Sequence, residues 1–212
     1  MNLPARFDHT FRIEVTIAVV VFGVITVAFL FAILRSFTRR GRQASQKPSY
    51  KKAEAVYVSV VAAAAAGIAT LSLTENRTTY PRPALTVDVT GFQWCWRFTY
   101  EGTPVTVSGN CVDGGLPVLE LPTGEPIAFH VRSNDVVHSM WIPALRFKLF
   151  AYPGFVNTFE TTIPTAGRFD AECAEFCGQY HFAMHFTLVA VAPARFSSWM
   201  AQQQTAGTGT TS

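Results

Sequence analysis

Hydrophobic positions change their spacing along the chain. From Ile13 to Leu34 they are nearly continuous, interrupted mainly by Glu14, Thr16 and Thr26. A run of that length spans about 30 Å of hydrocarbon as a helix. A second run, AEAVYVSVVAAAAAGIATLSLT over 53–74, is rich in Ala and Val, with Glu54 at its start. From Tyr80 the pattern shortens to β-type segments separated by turn residues. LTVDVTGFQWCWRFTY is the clearest, with Phe92, Trp94, Trp96, Phe98 and Tyr100 on one face at period two. TPVTVS, PIAFHVRS, VNTFETTIP, GRFDAEC and HFTLVAVAP follow, punctuated by Pro104, Pro117, Pro122, Pro143, Pro153 and Pro164. No amphipathic helix of useful length is expected among them. The pattern predicts a helical hairpin over 1–78, an antiparallel β sandwich over 79–200 and a polar, mobile tail, AQQQTAGTGTTS, over 201–212.

Charge fixes an orientation for this plan. Only 15% of residues are charged, against roughly 25% in a soluble domain. The loop 35–52 holds Arg35, Arg39, Arg40, Arg42, Lys47, Lys51 and Lys52 and no acid, which places it on the cytoplasmic side and the β domain outside. The run is too short, and too closely held between two spans, for nucleic acid. A signal-peptide reading of the first span lacks a small-residue cleavage site, since SFTRRGRQ follows. From Tyr80 onward ten acids face seven bases, so a basic partner is favoured.

The candidate chemistry lies in CAEFCGQYHFAM, from Cys173 to Met184. Cys173, Cys177, His181 and Met184 follow one another at intervals of four, four and three, so one loop between strands can turn all four toward a point. His138, in SNDVVHSMWIP at the end of an expected strand, is a further imidazole. Two Cys and two His suit zinc, which has no use for Met184. A Cys173–Cys177 disulfide suits the outside of a membrane but leaves the imidazoles and Met184 unexplained. Thiolates, a thioether and imidazoles together suit copper. A single blue copper needs only one Cys, so two thiolates allow a bridged pair of ions. Zinc, disulfide and copper all stay open on spacing alone.

CAEFCGQYHFAM resembles the C-x-E-x-C-G-x-x-H-x-x-M loop of the dinuclear copper A site of cytochrome c oxidase subunit II. NDVVHSMWIP resembles the segment carrying that site's other histidine, and FQWCWRF the family's aromatic stretch. The resemblance covers Ile13 to about Trp199. It implies a membrane-anchored all-β protein: a two-helix hairpin followed by a cupredoxin-like Greek-key β sandwich. Cys173 and Cys177 would bridge two coppers, His138 and His181 would cap them, and Met184 and the Glu175 carbonyl would be weak ligands. The Glu175 carboxylate would face a magnesium ion at the border with subunit I. Trp94 would receive electrons from cytochrome c or a c-type cytochrome domain. Glu54, in E-x-x-Y where the family has E-x-x-W, would stand at a proton-path entrance. The implied role is electron entry into a terminal respiratory oxidase of the cell membrane. Its haems and further copper would lie in the partner subunit, with oxygen reduction coupled to proton translocation. The competing reading is a membrane-anchored copper carrier or oxidase assembly factor.

Several positions depart from the family pattern. Cys95 stands where tyrosine is usual, and its pairing with Cys111 is open in sequence. His185 replaces a common proline beside Met184. In LRFKLFAYPGFVN, Phe150 stands for Asp and Phe155 for Arg. Loss of one charge from a buried pair strands the other, whereas loss of both to aromatics substitutes packing for a polar bridge. The expected consequence is an apolar contact toward subunit I. His130 is expected on a polar face and His9 near a membrane end.

Overall fold

The computed structural model describes residues 3–38, 50–75 and 82–208. Most of the basic loop, residues 39–49, and the last four residues of the expected tail lie outside the described residues.

Two helices carry the apolar runs. α1 spans Leu3–Thr38 and α2 spans Lys51–Glu75. Both are long and apolar enough to cross a membrane, over Phe7–Thr38 and Lys51–Thr74. α1 begins ahead of the apolar run, and Pro4 sits in its first turn, where its missing N–H has no partner to lose. At the start of α2, the Tyr50 N–H donates to Glu54 Oε1 at 3.2 Å and the Glu54 N–H donates to the Tyr50 carbonyl at 3.0 Å. Glu54 therefore closes the helix N-terminus, as a capping carboxylate does.

The second unit is a sandwich of two five-stranded sheets. The strands are β1 (Leu85–Phe92), β2 (Cys95–Tyr100), β3 (Thr106–Ser108), β4 (Val118–Pro122), β5 (Pro126–Ser133), β6 (His138–Ile142), β7 (Phe147–Ala151), β8 (Asn157–Thr162), β9 (Gly167–Cys173) and β10 (His185–Val191). One sheet runs β3-β2-β1-β5-β8 and the other β4-β10-β9-β6-β7. The core between them holds Trp96, Phe98, Tyr100, Phe129, Leu119, Leu121, Met140, Phe186 and Leu188.

Four features differ from the sequence expectation. The sheets are mixed, because β1 pairs β5 in parallel and β10 pairs β4 in parallel. Turn spacing speaks only of consecutive strands, and these partners are far apart in the chain. The long aromatic run is broken by a turn at Gln93–Trp94, so that Phe92 faces Cys95 across a hairpin. Only Trp96, Phe98 and Tyr100 of its five aromatics are core. His138 opens β6 instead of ending a strand. Finally, α3 covers Pro193–Thr208, so Ala201–Thr208 continue a helix where a mobile tail was expected. Phe196, Trp199 and Met200 anchor that helix against the core, with Trp199 edge-on to Tyr100 at 5.3 Å.

Candidate metal centre

At one end of the sandwich, three elements bring the soft donors together. β9 ends at Cys173, the loop after it carries Glu175 and Cys177, and a turn of 3-10 helix over His181–Ala183 leads to Met184 and β10. β6 supplies His138 from the neighbouring strand, where Met140 pairs with Cys173. Cys173 Sγ lies 4.0 Å from Cys177 Sγ and 3.9 Å from His138 Nδ1. Cys177 Sγ lies 3.4 Å from His181 Nδ1 and 3.8 Å from Met184 Sδ. The Glu175 backbone carbonyl stands 3.3 Å from Cys173 Sγ. His138 and Met184 are 0% exposed, Cys177 3% and Cys173 6%. Both thiols are free, so the disulfide alternative is absent from this structure. Burial above all, reinforced by the Cys173 thiol, pushes Cys177 up to about 12.

The donor set fits a soft metal. The donor atoms of His138, Cys173 and Cys177 lie within 4.8 Å of one another. His181 and Met184 reach the same Cys177 sulfur. Buried thiols aimed at each other, at two imidazole nitrogens and at a thioether have no partner of comparable chemistry except a thiophilic cation.

Residues outside the ligand pattern hold this geometry. Asp135 accepts from His138 Nε2 at 2.8 Å, which leaves Nδ1 as the nitrogen facing Cys173. Asp135 also accepts from the backbone N–H groups of Gln93 and Val136, each at 2.7 Å. Burial alone would raise its pKa, but these hydrogen bonds, His138's foremost, outweigh burial and lower it. The Cys177 carbonyl accepts from Gln93 Nε2 at 2.7 Å and from Trp94 Nε1 at 3.0 Å. Two glycines make room. Gly178 has φ +115°, and a Cβ there would meet Gln93 Nε2 at 3.2 Å and the Trp94 ring at 3.3 Å. A Cβ on Gly91 would meet the His138 ring at 3.0 Å. Sequence reasoning missed Asp135 and both glycines. Asp135 had a signal, since it lies three residues before His138 in the polar start of SNDVVHSMWIP.

The remaining expected sites are placed as follows. Trp94 is half-buried beside the ligand loop, edge-on to Tyr180 at 4.9 Å. His185 lies 3.6 Å from Glu172 and bonds the Phe182 carbonyl through Nε2 at 2.6 Å. Cys95 and Cys111 form a disulfide, and Cys111 Sγ lies 3.2 Å from the His185 carbonyl. Phe150 stacks on Tyr152 at 5.6 Å, and Tyr152 meets Phe155 at 6.4 Å. The two aromatics that replace the charged pair are thus joined through Tyr152, while Phe155 stays exposed. Lys148 Nζ donates to the Ala174 carbonyl at 3.2 Å, and Asn157 donates to the Phe150 carbonyl at 3.1 Å.

Two apolar helices, followed by a cupredoxin-like sandwich that gathers two Cys, two His and a Met at one end, define a class of membrane-type redox protein. Residues 85–191 match the family described as cytochrome c oxidase subunit II, periplasmic domain. The chain belongs to the cytochrome c oxidase subunit II family. It is 29% identical over 93% of its length to the alternative cytochrome c oxidase subunit 2 of Bradyrhizobium diazoefficiens, covering 80% of that protein. It is 37% identical over 59% of its length to the cytochrome c oxidase subunit 2 of Thermostichus vulcanus, of which it spans 36%. The solved periplasmic domain of subunit II of cytochrome oxidase (CoxB) of Bradyrhizobium japonicum superposes on 60% of the chain and 99% of its own, with TM-score 0.54 and 26% identity. Membership implies copper, a place in an oxidase complex and a membrane location.

Proposed function

We propose that the chain is the electron-entry subunit of a terminal respiratory oxidase. It accepts electrons from cytochrome c at a dinuclear copper A centre and passes them to haem in subunit I. The oxygen-reducing site lies in subunit I. The observation that carries this is the convergence of the buried Cys173, Cys177, His138 and Met184 with the half-buried His181. In this reading Cys173, Cys177, His138 and His181 would hold two coppers, with Met184 and the Glu175 carbonyl as weak ligands.

Bound there, the copper pair supplies one-electron exchange. The chain's own residues keep the ligands in place through both oxidation states. Asp135 fixes the tautomer and ring of His138, and Gln93 and Trp94 pin the Cys177 carbonyl. Burial excludes water from the sulfurs. Both cysteines would surrender a proton on metal uptake, so copper affinity weakens as pH is lowered. Trp94 touches the ligand loop on one side and is partly exposed on the other, which suits it to receive an electron from a docked donor. The β domain faces the periplasmic or outer side, with the basic loop opposite. Glu54 at a proton-path entrance and the Glu175 carboxylate at a magnesium ion belong to the same proposal, as does an apolar contact of the Phe150–Tyr152–Phe155 stack with subunit I.

A copper carrier or assembly factor would need exposed, exchangeable ligands, and these are enclosed. The test is stopped-flow reduction of the copper-loaded full chain by reduced cytochrome c. The expected result is fast reduction in wild type and a loss of about tenfold or more in Trp94→Phe at unchanged copper content. Equal rates, or no reduction of loaded wild type, contradict the proposal.

A further inference from the structure

A second group of ligating side chains stands on the outer face of the β1 sheet. Strand alternation sends Val87, Val89, Phe98, Tyr100, Phe129 and Val131 into the core. The same alternation turns Asp88 and His130 outward, and these two are direct partners in the parallel β1–β5 pairing. Glu101 follows β2, two residues beyond Thr99, which faces Asp88. Its N–H is fixed to the Thr86 carbonyl at 3.0 Å. Two adjacent strands and the turn after a third thus bring an imidazole and two carboxylates together on one surface.

The distances match a metal's coordination sphere. His130 Nδ1 lies 3.5 Å from Asp88 Oδ1 and 3.3 Å from Glu101 Oε1. All three donor atoms fall within 4.8 Å of one another. A tetrahedral ion with bonds of about 2.0–2.1 Å separates its ligands by about 3.3 Å. The other Asp88 oxygen, Oδ2, faces Arg132 Nη2 at 3.8 Å, an outer contact that orients the carboxylate and leaves Oδ1 to the site. The two carboxylates supply the negative charge that a divalent cation requires, and Arg132 remains an outer contact. The set contains no sulfur, so it discriminates against the soft ion suited to Cys173 and Cys177.

We propose that Asp88, Glu101 and His130 form a separate surface site for a divalent cation of the zinc class. Water completes the coordination, and the ion clamps β2, β1 and β5 together. The site does not depend on the copper reading, because it shares no residue with it.

The test uses the full chain in detergent with Cys173→Ser and Cys177→Ser, titrated with Co²⁺ as a visible probe and then with Zn²⁺. One cobalt per chain is expected, with weak d–d absorption and no thiolate charge-transfer band, displaced by zinc. His130→Ala and Glu101→Gln should each weaken binding about tenfold or more, and His185→Ala should leave it unchanged. Titration of the copper-loaded wild type with Zn²⁺ gives the same stoichiometry if the serine background folds poorly. Absence of stoichiometric binding at submillimolar metal in both preparations overturns the proposal. So does binding that survives His130→Ala and Glu101→Gln, since the trio would then be an ion-pair cluster only.

Discussion

Replacing Asp135 with Asn tests the support of the centre while leaving every proposed ligand intact. Asp135 Oδ1 accepts from His138 Nε2 and the Val136 N–H, and Oδ2 accepts from the Gln93 N–H. An asparagine cannot satisfy this pattern in either orientation. With its oxygen toward His138 and Val136, its NH₂ meets the Gln93 N–H, donor against donor. With the amide flipped, both His138 and Val136 lose their acceptor. The better orientation loses one hydrogen bond and turns the others from charge-assisted to neutral, which costs about 1–3 kcal/mol of fold stability. Looser control of the His138 ring lowers copper affinity about 10–100-fold, as for other outer-shell partners of ligand histidines. Chelator competition on the full chain reads the affinity, and thermal unfolding of the metal-free chain reads the stability. A change of about twofold or less in affinity, with unaltered melting, would show that Asp135 does not position His138.

Four further outcomes follow from the same geometry. Gly178→Ala forces a left-handed residue against Gln93 and Trp94, and should cost about 1–3 kcal/mol in chemical denaturation while freeing the Cys177 carbonyl. Gly91→Ala drives a methyl into the His138 ring and should reduce copper content measured by metal analysis, with the fold retained by circular dichroism. Cys95→Ser with Cys111→Ser opens a link between residues 16 apart and should destabilise the domain by about 3 kcal/mol in denaturant titration. Burial raises the Glu120 pKa against the pull of Arg195. The fold therefore pays for the charged form above the folded-state pKa, and that cost vanishes below the unfolded value of about 4.3. Glu120→Gln should raise the melting temperature at pH 7, with the gain shrinking to nothing as pH falls below about 4.

The sequence made the cluster of candidate donors legible because they lie within one twelve-residue loop plus one histidine, and the helices legible because bilayer length is a composition signal. What it concealed depends on contacts between distant segments. The turn at Gln93–Trp94 hid inside an alternating run because Phe92 and Trp94 are as apolar as the core residues after them. That Cys95 would meet Cys111 rests on a Cα separation of 5.2 Å that no spacing rule supplies. The parallel β1–β5 and β10–β4 pairings are long-range choices of the same kind. α3 escaped because its apolar anchors, Phe196, Trp199 and Met200, merge into a glutamine-rich segment that reads as tail. Glu54 shows the opposite case. Its position was read for proton uptake, and the structure also gives it a local task at the start of α2.

The proposal stands or falls on whether Cys173, Cys177, His138 and His181 hold a pair of coppers. Metal analysis with electron paramagnetic resonance of the copper-reconstituted full chain addresses it most directly. Two coppers per chain sharing one unpaired electron are expected, with loss of that signal in Cys177→Ser. One copper per chain with a mononuclear spectrum, or none with Cys173 and Cys177 oxidised to a disulfide, would contradict it.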